Sequence, residues 1–104
     1  MDVYKVELAR SAENDLREIA RYIAHQLNEP ATALKMVQTI KNAIFKLDTT
    51  ALAHPLVRVD RLAALGYRPL VVKNYIAFYV VNEKDKLVDV DRILYGQRDW
   101  KSIL

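Results

Sequence analysis

The sequence has no cysteine, two histidines and two glycines among its 104 residues. Without thiols there can be no disulfide and no thiolate metal site, and His25 and His54 cannot build a zinc site without carboxylate help. Gly66 and Gly96 are too few for a phosphate-cradling loop. Neither a Ser/His/Asp arrangement nor a helical metal motif is present, so no metal and no other cofactor is expected. No stretch approaches the roughly 20 uninterrupted apolar residues that cross a bilayer. The start, Met1-Asp2-Val3-Tyr4-Lys5, lacks the basic and apolar segments of a secretory signal. These absences lead us to expect a soluble cytoplasmic chain with no membrane partner. The length leads us to expect one domain over residues 1–104, because a chain of this size supports a single core.

What is present is charge, unevenly spread. Lys and Arg outnumber Asp and Glu by 16 to 13. Divided after Val57, the first part carries equal numbers of each sign and the whole formal +3 lies in the second. That part is expected to attract a polyanion or an acidic protein.

Two periodicities partition the chain. Val3 to Leu8 alternates in the manner of a half-buried strand. Ser11 reads as a helix N-cap, with Glu13 and Asp15 in the first turn where the helix dipole favours anions. Leu16, Ile19, Ala20, Ile23, Ala24 and Leu27 then form one apolar stripe, opposite Arg17, Glu18 and Arg21, predicting a helix over residues 12–27. Asn28-Glu29-Pro30 interrupts it, with Pro30 suited to the first turn of a second helix. Ala33, Met36, Val37, Ile40, Ile44 and Leu47 continue the stripe to Leu47. So short a link makes the helices antiparallel.

Residues 48–65 show no period beyond a possible helical turn at Leu62 to Leu65. After Gly66, β-branched and aromatic residues mark strands at Tyr67 to Val72, Tyr75 to Val81 and Leu87 to Tyr95. Apolar residues on both faces of the second of these make it a central strand. Gly96 ends the last strand, and Trp100, Ile103 and Leu104 form a short tail that docks back. The fold class is α+β, in the order β-α-α-β-β-β: an N-terminal strand, an antiparallel helical hairpin and a mainly antiparallel three-stranded meander, all in one sheet.

Arg92 breaks the apolar set Val88, Val90, Leu94, so its guanidinium either serves a functional face or pairs with Asp89, Asp91 or Asp99. Arg98, just past Gly96, is presented on a turn. Arg68 is similarly placed after Gly66, and with Lys73 it forms a cluster if their strand lies near the last one. Four of the six tyrosines fall beside these cations, a pattern that suits stacked single-stranded RNA bases and also ordinary strand packing. His25 at a helix end and His54 before Pro55 read as structural.

Ser11-Ala12-Glu13-Asn14-Asp15-Leu16, Tyr22-Ile23, Gly66-Tyr67-Arg68, Asn74-Tyr75-Ile76 and the closing Arg92-Ile93-Leu94-Tyr95-Gly96-Gln97-Arg98-Asp99, in this order, resemble the RelE/ParE superfamily of bacterial toxins over nearly the whole chain. The resemblance implies the toxin of a type II toxin–antitoxin module: a plasmid-stabilisation and growth-inhibition function, and neutralisation by a cognate acidic antitoxin. It also implies either DNA gyrase or the ribosome and its mRNA as target. The RelE-like nucleases carry lysines on the strand matching Tyr67 to Val72, an arginine after the tyrosine of the next strand and another after the late glycine. Arg68 and Arg98 match two of these positions; Leu70 and Ile76 stand at the other two.

Metal-free RNA cleavage needs basic and acid/base groups converging on one phosphate. No His or Glu on the strands of the meander replaces the two lost cations. Each such loss costs roughly 10²- to 10³-fold in rate. The favoured expectation is therefore a ParE-like toxin that binds gyrase, with Arg68, Lys73, Arg92, Arg98 and Trp100 contributing to the target surface. The alternatives are a ribosome-dependent endoribonuclease using Arg68, Arg98 and one of Tyr75 or Tyr95, and a non-toxic relative kept for partner binding.

Overall fold

The structure, a computed structural model, describes residues 3–104, so the start read at Met1 and Asp2 lies outside the described residues. Strand β1 (Lys5–Leu8) leads into helix α1 (Arg10–Arg21) and a π-helical turn (Tyr22–Gln26). Helix α2 (Pro30–Phe45) returns antiparallel, and short helices α3 (Leu47–Thr50) and α4 (Asp60–Ala64) occupy the stretch without periodicity. The meander β2 (Arg68–Val72), β3 (Tyr75–Asn82) and β4 (Leu87–Tyr95) follows, then helix α5 (Trp100–Ile103). The sheet order is β1-β4-β3-β2, with β1 parallel to β4 and the other neighbours antiparallel. The expected α+β order is therefore present, and β3 is central.

The two-faced character of β3 has a visible cause. Ala77 and Tyr79 face the main core beneath the helical hairpin, with Leu16, Ile23, Ile40, Ile44 and Val88. Phe78, between them, enters a second core on the opposite face with Val57, Leu62 and Leu94, covered by Trp100, Ile103 and Leu104. Strand side chains alternate faces, so a strand between two layers must be apolar throughout.

Three local expectations are corrected. Ser11 is not the N-cap: Ala9 takes that place without a side-chain cap, and the Ser11 hydroxyl donates at 2.6 Å to the Asp91 carbonyl. Asp15 lies beyond the first turn and bonds to β4 instead of the helix dipole. The first helix does not carry its stripe to Leu27. The Leu27 N–H reaches back five residues to the Tyr22 carbonyl, and this wider turn rotates Leu27 to half exposure. Asn28 then adopts φ 54°, a left-handed conformation that asparagine tolerates, and Pro30 opens α2.

Candidate functional site

A β-bulge sets the direction of the β4 side chains. Phe78 pairs with Arg92 while the next residue, Tyr79, pairs with Val90, leaving Asp91 without a counterpart on β3. One extra residue reverses the alternation, so Ile93 joins Val88 and Val90 in the main core and Leu94 falls in the second. This explains the guanidinium that interrupts the apolar set. Its partner is none of the three aspartates expected: Arg92 Nε and a terminal nitrogen grip both oxygens of Asp15 on α1 at 2.8 and 2.9 Å. The Ile93 N–H donates to the same carboxylate at 2.9 Å. The bond to Asp15 holds the Arg92 guanidinium charge even more firmly than usual. Arg92 is thus engaged within the fold, 26% exposed, and it ties the hairpin to the sheet.

Arg68 and Lys73 sit at opposite ends of β2 and do not cluster. β2 is an edge strand, separated from β4 by β3. Arg68 pairs with Tyr79, whereas Val72 pairs with Tyr75 next to the Lys73-Asn74 turn. Four residues of strand put these levels about 13 Å apart. Nor is Arg68 presented: its guanidinium donates to the His54 carbonyl beside the buried Tyr79, whose hydroxyl donates at 2.7 Å to the Ala51 carbonyl. Burial pushes the Tyr79 hydroxyl up to about 12, and nearby Arg68 partly opposes it.

Lys73, Tyr75, Tyr95 and Gly96 do come together, at the far end of the sheet. They line a cleft of about 190 Å³ with Val71, Asn74, Ile76 and Gln97. The Gly96 N–H donates to the Asn74 carbonyl at 2.8 Å, and a Cβ on Gly96 would stand 3.3 Å from that same oxygen, so glycine lets the two turns touch. Arg98 follows on the exposed turn, its N–H bonded to the Tyr95 carbonyl. Tyr75 and Tyr95 meet edge to face at 5.9 Å. Burial, then Tyr95 and Tyr22, raises the Tyr75 hydroxyl above its ordinary value, which suits a hydrogen-bond donor better than a base.

Trp100 packs on Phe78 at 5.0 Å between ring centres, and the Arg61 guanidinium holds the Lys101 carbonyl at 2.7 Å. The half-buried Trp100 thus serves the second core. The sequence reading missed Asp15 as the partner of Arg92, and Tyr67, whose hydroxyl donates to the Asp91 carboxylate and is pushed up to about 12, first by burial and then by that bond. No local pattern signals either contact, since the partners lie 77 and 24 residues apart.

The positive charge is also arranged differently in space. Helix α2 and its C-cap carry Lys35, Lys41 and Lys46 with no carboxylate, and α2 packs against β2, which with its turn adds Arg68 and Lys73. The opposite edge holds Glu7 directly across from Asp89, near Asp91. Among the described residues no group of three or more His, Cys, Asp or Glu is placed to hold a metal ion, and no helix is long and apolar enough to cross a membrane.

Residues 6–100 match the family model of the ParE toxin of the type II toxin–antitoxin system, parDE. Among curated proteins none matches the chain. A solved chain of the chromosomal ParDE toxin–antitoxin system from P. aeruginosa is similar in fold, with TM-score 0.75 and 24% identity over 91% of this chain and 98% of that one. A chain of the RelBE2 toxin–antitoxin complex from Mycobacterium tuberculosis is also similar, with TM-score 0.67 and 16% identity over 89% and 98%. With the family model covering nearly all of the sheet and the hairpin, the chain belongs to the ParE toxins of type II toxin–antitoxin systems.

Proposed function

We propose that this toxin acts in the cytoplasm by binding DNA gyrase, without cutting RNA, and is held inactive by a cognate antitoxin. The observation that carries this reading is the separation of Arg68 from the Gly96 end of the sheet. A metal-free nuclease needs its cations and acid/base groups on one phosphate. Here Arg68 is tied to the His54 carbonyl, while Arg98, Tyr75 and Tyr95 stand at the other end of the strands. Leu70 lies in the main core and Ile76 packs against the second core on the opposite face of the sheet, so neither position supplies a cation that would bridge the gap. The target surface is then the Gly96 end, with Lys73 and Arg98 exposed at its rim.

Induction of the toxin alone in a bacterial host tests the reading. Filamentation with an SOS response and intact messages is expected. Rapid fragmentation of mRNA at codon boundaries would replace gyrase by the ribosome, and normal growth would leave only partner binding. Arg98→Ala is expected to restore most colony formation on induction while leaving the unfolding midpoint unchanged, because the side chain is exposed.

A further inference from the structure

Two of the tyrosines use their hydroxyls within the fold, Tyr67 donating to the Asp91 carboxylate and Tyr79 to the Ala51 carbonyl. Three others gather at the Gly96 end, with hydroxyls that donate to no group among the described residues. Tyr75 and Tyr95 stand directly opposite each other on β3 and β4, so both rings lie on the hairpin side of the sheet, where Tyr75 packs on the main core. Tyr22 begins the π-helical turn of the hairpin on that same side. Burial, then Tyr95, then Tyr22 raise the Tyr75 hydroxyl, so the three phenols share one neighbourhood. Tyr22 is 54% exposed and Tyr95 40%, although each ring could have packed on the core as Tyr79 does.

Tyrosine combines a large apolar area with a hydroxyl donor and has little side-chain freedom to lose, which makes it a common anchor of protein interfaces. We propose that Tyr22, Tyr75 and Tyr95 form the anchoring patch of the target surface and receive an acidic segment of gyrase. This rests on the gyrase reading above and extends the target surface from the sheet to the π-helical turn. Charge argues for the acidic partner. Beside Tyr22 opens a recess of about 450 Å³, lined also by Glu18, Arg21, His25 and Gln26, in which Arg21 already holds Glu18 at 3.1 Å. On the other flank Asp99 accepts from the Ser102 hydroxyl at 3.0 Å, while Lys73 and Arg98 are exposed and have no carboxylate partner among the described residues. Neutral phenols and two unpaired cations are donors suited to carboxylates on the incoming surface.

The test titrates full-length toxin onto intact gyrase, with and without duplex DNA. Without DNA, Tyr22→Ala is expected to weaken binding about tenfold and Tyr22→Phe, which keeps the ring, about threefold, both with an unchanged unfolding midpoint because the side chain is exposed. Lys73→Glu is expected to weaken binding about tenfold as well, whereas Lys84→Ala, in the turn at the opposite end of β3, leaves it unchanged. Parent-like affinity of Tyr22→Ala overturns the patch and leaves the gyrase reading standing. A Tyr22 effect that appears only with DNA present overturns the acidic segment in favour of stacked nucleic-acid bases. No binding of the parent toxin under either condition overturns both the patch and the gyrase reading.

Discussion

The pair between Asp15 and Arg92 joins residues 77 positions apart and is 13% and 26% exposed on its two sides. Removing only one member strands the other in a poorly solvated place, which costs more than the pair itself contributes. Asp15→Asn is expected to lower stability by about 2 kcal/mol in urea titration. Asp15→Leu with Arg92→Met should recover only part of that loss, because it leaves no orphan charge but deprives the buried Ile93 N–H of its acceptor. Asp89 behaves in the opposite sense. Partial desolvation, then Asp91 and Glu7, raises the proton affinity of this exposed side chain above that of the unfolded chain, so its ionisation opposes folding weakly once the pH passes the usual carboxylate range. Asp89→Asn is therefore expected to be more stable than the parent at pH 7. The advantage should fade as the pH falls through the raised range of the folded carboxyl and be gone below the unfolded aspartate range, as read from urea midpoints across a pH series.

At the scale of elements, periodicity identified both long helices, all four strands and the central place of β3, because a residue's face follows from its neighbours at fixed spacing. The departures occur where one residue is added to a period. The π-helical turn at Tyr22–Gln26 ends the α1 stripe early, and the bulge at Asp91 moves Ile93 and Leu94 to faces opposite to those that simple alternation assigns. The bulge is held from elsewhere, by the Ser11 hydroxyl on the Asp91 carbonyl, whereas the π-helical turn is closed by its own backbone bond from the Leu27 N–H to the Tyr22 carbonyl. The link from α4 to β2 is a case where composition did speak. Gly66 has φ 88°, and a Cβ there would meet only a Val80 methyl at 3.5 Å. The cost of Gly66→Ala should thus come from the backbone and amount to about 1–2 kcal/mol of unfolding free energy.

For the whole molecule, two cores share one sheet, and the second depends on the tail. Trp100→Ala should uncover Phe78 and Leu94, lower stability by about 2 kcal/mol and speed proteolysis after Tyr95. Lost toxicity with unchanged stability would instead make Trp100 a target contact. The sequence by itself determined the class of fold, the antiparallel hairpin, the family likeness and the exposed turn carrying Arg98, all of which depend on spacing along the chain. Only the tertiary structure decided which charges meet. Arg68 went to the His54 carbonyl, Arg92 to Asp15, and α2, which carries lysines and no carboxylate, came to pack against β2 although it belongs to the part of the chain with no net charge. The physical reason is that a charge takes the partner that packing brings within about 3 Å, and strand order and bulges set that distance independently of separation in sequence.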